Sequence, residues 1–191
     1  MRRWRVILLA FEFAVVASAL PRPISAQALP DVYVDEGACP FECCQYGPWW
    51  ADRGAVIRSE PADTAPVIGT VQPGDTVQAL TGQVRTVPTP FVWKQDVEGS
   101  GGHRYAAGDT LYVLTYLGEG FFRVWHEGEV FVESLDFSPY GGTSGKRCER
   151  CTHGELLHEL RSEWWVQVRL RDGTVGWTDA TDAFLGKDAC G

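Results

Sequence analysis

The chain has 191 residues, with 17 Lys+Arg against 25 Asp+Glu and a formal charge of −8. Its 45% hydrophobic fraction excludes wholesale disorder, and its acidic balance argues against nucleic acid, whose phosphates select basic surfaces. Twenty-one glycines and eleven prolines predict many turns and few long helices.

Residues 1–28 have the grammar of an export signal. Arg2, Arg3 and Arg5 precede an apolar run from Val6 to Leu20, and Ala26-Gln27-Ala28 offers the small residues a signal peptidase reads. Cleavage is expected after Ala28, with Ala26 as the rival site. Glu12 interrupts the run, which is already short of the ~20 residues a retained membrane helix needs. No later segment approaches a span. Removal of four arginines and one glutamate leaves 13 basic and 24 acidic residues, a net charge of −11. The chain is expected to be secreted or periplasmic, in an oxidising compartment where its six cysteines pair.

Cys39, Cys43 and Cys44 open the exported chain. Six thiols allow fifteen pairings, and sequence does not choose among them. If the folded termini meet, Cys190 joins the N-terminal group.

Beyond the cysteines, period-two alternation predicts strands and hairpins. Ile57–Pro61 and Pro66–Val71 read as short edge-like strands around proline turns. Gly74-Asp75-Thr76-Val77-Gln78-Ala79-Leu80 has a twin in Gly108-Asp109-Thr110-Leu111-Tyr112-Val113-Leu114, each a turn followed by a strand. Phe121–Glu133 predicts a hairpin turning at Glu127-Gly128. Gly154–Glu163 is the one stretch suited to a short helix. Trp164–Trp177 predicts a hairpin turning at Asp172-Gly173, with Leu170 opposite Val175, Val168 opposite Trp177, and Trp177 in the core.

Arg-Ser-x-Pro, Val-Ile-Gly-Thr, Gly-Asp-Thr-Val and a closing Trp-Trp-Val-x-Val…Asp-Gly-x-Val-Gly-Trp hairpin, in that order, resemble the bacterial SH3-like domain family. The resemblance covers Ile57–Pro61, Pro66–Leu80 and Trp164–Thr178 and implies an all-β fold of small barrels. The closing hairpin arrives about eighty residues late. A nested arrangement accounts for that delay: residues 29–48 as a Cys-rich segment, 49–83 with 160–187 as a discontinuous outer barrel, 84–147 as an inserted second unit with Phe91-Val92-Trp93 as its first strand, and 148–159 as a linker. Two barrels in tandem, divided near Gly99–Gly102, are the rival. A contact between Ala79 and Val166 discriminates the two.

The resemblance implies a non-catalytic module that binds peptidoglycan, its peptides or another envelope component, with no cofactor. A binding surface would use exposed aromatics. With Leu117–Gly120 as the turn, Tyr116 faces Phe121, Leu114 faces Arg123 and Tyr112 faces Trp125, all on one side. By comparison with the later hairpin, where Gln167 and Arg169 point away from the core, that side is outward. Polarity argues the reverse, because the same side carries Val130 and Val132 while the other carries His126, Glu129 and Glu133. Trp49, Trp50 and Trp165 are further candidates.

Two alternatives stand beside this reading. One is a structural or protein–protein module with the stripe buried against a partner. The other uses Cys148-Glu-Arg-Cys151 with His153 and His158, as a thiol-redox pair or a Cys2His2 zinc site. Thr152 occupies the place a haem-binding histidine would take. His103, in a glycine-rich stretch, reads as a loop residue, and serine-hydrolase and phosphate-loop signatures are absent.

Overall fold

Residues 26–136 and 153–190 are described by a computed structural model. In chain order the strands are β1 (Tyr33–Glu36), β2 (Gly47–Ala51), β3 (Ala55–Arg58), β4 (Val67–Val71), β5 (Thr76–Val87), β6 (Thr89–Trp93), β7 (Val97–Glu98), β8 (Arg104–Tyr105), β9 (Thr110–Gly118), β10 (Phe121–His126), β11 (Glu129–Ser134), β12 (Gly154–Leu156), β13 (Arg161–Arg169), β14 (Val175–Thr178) and β15 (Phe184–Leu185). A single 3-10 turn at Thr181–Ala183 is the only helical element among the described residues. None of them forms a helix long and apolar enough to cross a membrane. The fold is all-β and disulfide-bonded, through Cys39–Cys44 and Cys43–Cys190. Cys148 and Cys151 lie outside the described residues.

Strand β5 decides the topology. Its first half pairs with β2 on one side, its second half with β1, and its other side with β13 along most of its length. Ala79 therefore lies opposite Val168, and Val166 opposite Gly82. The first sheet runs β15-β2-β5-β13-β14-β3-β4 and curls into a half-barrel. Between β5 and β13 the chain builds a second sheet, β12-β6-β9-β10-β11, and the small β7–β8 hairpin.

The two sheets repeat one plan. β2 pairs with β5 as β6 pairs with β9; β5 pairs with β13 as β9 pairs with β10; and β15 lies on β2 as β12 lies on β6. The twin Gly-Asp-Thr segments are the nodes of this correspondence. Gly74 N–H donates to Ala51 O at 2.8 Å and Ala51 N–H to Asp75 O at 2.8 Å, while Gly108 N–H donates to Trp93 O at 2.8 Å and Trp93 N–H to Asp109 O at 3.0 Å. Each aspartate carboxylate closes its own turn, Asp75 on Gln72 N–H and Asp109 on Ala106 N–H, both at 2.8 Å. Each glycine has positive φ, +88° and +96°, where a Cβ is disfavoured. The register then equates Gly47-Pro48-Trp49-Trp50-Ala51 with Thr89-Pro90-Phe91-Val92-Trp93.

Each sheet closes its own core. Trp49, Ile57, Val71, Val77, Ala79, Val166, Val168 and Phe184 fill the first, and Phe91, Trp93, Tyr105, Leu111, Val113, Phe122 and Val124 fill the second. Val84, Leu114 and Trp165 are buried in neither core. Strands β5 and β9 also pack on each other.

Two local expectations give way. Gly154–Glu163 forms no helix: Gly154–Leu156 is β12, whose glycine lies on Phe91 so closely that a Cβ would fall 2.2 Å from Phe91 Cζ. The Asp172-Gly173 turn is one residue longer than a two-residue hairpin. Gly173 N–H donates to Leu170 O, Leu170 N–H donates to Thr174 O, and the Asp172 carboxylate accepts Thr174 N–H. Only Gly173 has positive φ, which fits a three-residue loop with a glycine bulge. Arg169 thus faces Val175 and Gln167 faces Trp177, so Trp177 is half-buried on the outer face rather than in the core.

Candidate functional site

Strand alternation separates the two adjacent tryptophans of β2. Trp49 points inward with no exposed surface, packed against Trp164 and Phe184 at ring-centroid distances of 5.8 and 5.9 Å, and its indole donates to Gln45 O. Trp50 points outward and is 48% exposed. It forms the floor of a groove of about 640 Å³, together with Tyr46, Pro48, Phe184 and the half-exposed Leu185.

The far wall is the C-terminal segment 182–188. Gln45 N–H donates to Lys187 O and Ala189 N–H to Cys43 O, a bridge joins Cys44 to Asp188, and Cys43–Cys190 ties the ends. Gly186, at φ +85°, lets the wall approach; a Cβ there would meet Trp50 Cζ3 at 3.0 Å. The charged residues of the groove lining are Asp182, Lys187 and Asp188. Asp182 is held below the usual carboxylate range by its hydrogen bond and charge contact with Arg53. Burial pushes the Lys187 ammonium below its ordinary value, although Asp182 opposes this, and its Nζ donates to Thr181 O at 2.7 Å. The surface offers an aromatic platform with polar groups at its ends.

The remaining sequence candidates are dispersed. Trp165 is 1% exposed and unavailable to a ligand. Tyr112 faces Trp125 as expected, with the rings T-shaped at 5.7 Å. Register shifts on either side of Phe122 and Arg123 break the rest of the stripe. Tyr116 faces Phe122, not Phe121, and packs on the second core, while Leu114 is buried and does not face Arg123. Phe121 remains 40% exposed, and Arg123 pairs with Asp35 of β1 at 3.3 Å.

The polarity argument fails at Glu133. This residue lies on the inner side with no exposure, yet its carboxylate accepts Ser100 N–H and Oγ–H at 2.7 Å, Ser134 N–H at 2.9 Å and Tyr105 O–H at 2.9 Å. Four donors make a buried carboxylate tolerable, and this one fastens the β7–β8 hairpin to the second core. His126, also on that side, donates Nδ1–H to Thr110 O, 2.9 Å away. His103 stacks on Phe131 at 4.0 Å. His153 is held by Asp136 at 3.3 Å. The zinc and thiol-redox readings depend on Cys148 and Cys151, outside the described residues.

Sequence reasoning placed Trp50 among the candidates but missed Leu185, Tyr46, Pro48 and Lys187. No local motif marks them. The groove exists because the tail returns to β2, a contact that only the Cys43–Cys190 pairing would have signalled. No family model, no curated protein and no solved structure matches this chain.

Proposed function

We propose that the protein is an exported, non-catalytic SH3-like binding module that seats a peptidoglycan component, such as a wall peptide, in the Trp50–Leu185 groove. The internal repeat is the observation that carries this reading. The second unit has Val92 and Glu155 where the first has Trp50 and Leu185. The same scaffold is thus built with a small apolar residue and a charge at these positions. An exposed tryptophan and leucine in the first unit are not demanded by the fold, and clustered exposed aromatics of this kind mark recognition surfaces.

The test is co-sedimentation of the oxidised protein with purified peptidoglycan sacculi at low and moderate salt. Saturable binding is expected, weakened at least about tenfold, equivalent to ~1.4 kcal/mol, by Trp50→Val or Leu185→Glu in a protein that remains folded. Absence of saturable binding at either salt would remove the wall-binding reading. A protein–protein module is the second reading, favoured by edge strand β4, where Val67 and Ile68 are 52% and 41% exposed. Self-association or partner pairing along that edge would be abolished by Ile68→Lys.

A further inference from the structure

The internal repeat isolates a second feature, on the outer face of the second sheet. There Tyr112 and Trp125 stand at the positions held by Gln78 and Arg169 in the first sheet. The chain's own N-terminal segment engages this aromatic pair. Trp125 Nε1–H donates to Gln27 O at 2.8 Å, and Gln27 N–H donates to Gly128 O at 2.8 Å. From Gln27 the segment continues to β1, where Asp35 reaches Arg123 and Tyr33–Glu36 pair with β5. Residues 27–36 are therefore a strap that starts on the second sheet and ends as a strand of the first.

We propose that export processing cuts the Ala26–Gln27 bond, and that Gln27 is the mature N-terminus, docked between Trp125 and Gly128. The proposal rests on the reading of the first residues as an export signal. Both rival sites place an alanine directly before the cut, and the Ala28 site also has Ala26 at the third position back where the Ala26 site has Ile24; the two cuts leave different molecules. Hydrolysis after Ala28 would delete the carbonyl that Trp125 uses and the amide that Gly128 uses. Hydrolysis after Ala26 keeps both and turns the Gln27 amide into an ammonium, so its bond to Gly128 O becomes charge-assisted, the stronger kind.

Intact-mass and N-terminal peptide analysis of the protein recovered after export tests this directly. A chain starting at Gln27, with or without loss of ammonia from its cyclisation, is the expected result. A chain starting at Leu29 would overturn the proposal while leaving the export reading intact. A chain retaining Met1 would overturn both. A second measurement follows the docking itself. Recombinant proteins beginning at Gln27 and at Leu29 are compared by hydrogen exchange at the Trp125 indole. Exchange at least several-fold slower in the Gln27 form is expected, and equal rates in two folded proteins would overturn the docking. Trp125→Phe, which keeps an aromatic ring but removes the N–H donor, identifies the indole signal.

Discussion

The carboxylate of Glu133 and the hydroxyl of Tyr105 are 2.9 Å apart in a part of the second core that water does not reach. Burial, followed by the hydrogen bond and charge of Glu133, raises the Tyr105 phenol well above its ordinary value. A raised folded-state pKa means that the fold favours the neutral phenol. The associated stability is complete below the ordinary tyrosine pKa of ~10 and is lost as pH rises beyond it. In an alkaline titration followed by tyrosinate absorbance, Tyr105 is expected to stay silent while exposed tyrosines ionise, and to appear only with unfolding. Its titration alongside them in a folded protein would contradict the buried pair.

The same network sets the cost of losing Glu133. Glu133→Ala takes the acceptor from Ser100 N–H, the Ser100 hydroxyl and the Tyr105 hydroxyl, and leaves Ser134 N–H only its longer bond to Ser100 Oγ at 3.3 Å; a donor buried without a partner costs ~1–3 kcal/mol. A loss of at least ~3 kcal/mol is expected by urea denaturation, with Glu133→Gln milder because its amide oxygen still accepts from Ser100 and Ser134. Gly99→Ala tests the neighbouring contact, since its Cβ would lie 2.2 Å from Glu133 Oε2. A stability close to wild type for both Glu133→Ala and Gly99→Ala would show that the β7–β8 hairpin does not depend on this anchor.

Trp49 and Trp50 differ by one residue and by one sheet face. Trp49→Ala opens a cavity in the first core and is expected to cost ~3–5 kcal/mol. Trp50→Ala removes a ring that is already half in water, and its stability effect should stay within about 1 kcal/mol. Equal destabilisation by the two changes would mean that the groove floor is structural.

Much of this arrangement is legible in the chain itself. The Glu127-Gly128 hairpin is readable because its turn has positive φ at both central residues, +49° and +90°, as a two-residue loop requires. The twin Gly-Asp-Thr segments are readable because turn chemistry is local: a glycine for the conformation and an aspartate for the N–H three residues before it. What escapes is register and reach. The loop after Leu170 takes three residues, with Leu170 N–H bonded to Thr174 O and the Asp172 carboxylate accepting Thr174 N–H, and the one-residue difference puts Trp177 on the other face. Bulges in β9–β10 dissolve an aromatic stripe that strict alternation had assembled. Glu133 looks like a surface residue until the distant Ser100 and Tyr105 supply its donors. The Trp50 groove needs residues from both ends of the chain, which periodicity within one segment cannot bring together.

The two disulfides close loops of very different length, and their stabilities should differ accordingly. Cys43 and Cys190 are 147 residues apart in sequence, whereas Cys39 and Cys44 are separated by 5. Chain-entropy scaling gives ~5 kcal/mol for the long loop and ~2 kcal/mol for the short one. Replacing both cysteines of a pair by serine avoids leaving an unpaired thiol. The Cys43/Cys190 double variant is expected to lose more than twice as much stability as the Cys39/Cys44 variant. It should also release the groove wall first, because Ala189 and Lys187 are otherwise held to Cys43 and Gln45 by one backbone hydrogen bond each. Hydrogen exchange at Gln45 and Ala189 should accelerate in that variant well below its unfolding midpoint, while the amides joining β5 to β13 remain protected. Uniform acceleration across the first sheet would mean that the bridge supports the whole half-barrel rather than its binding edge.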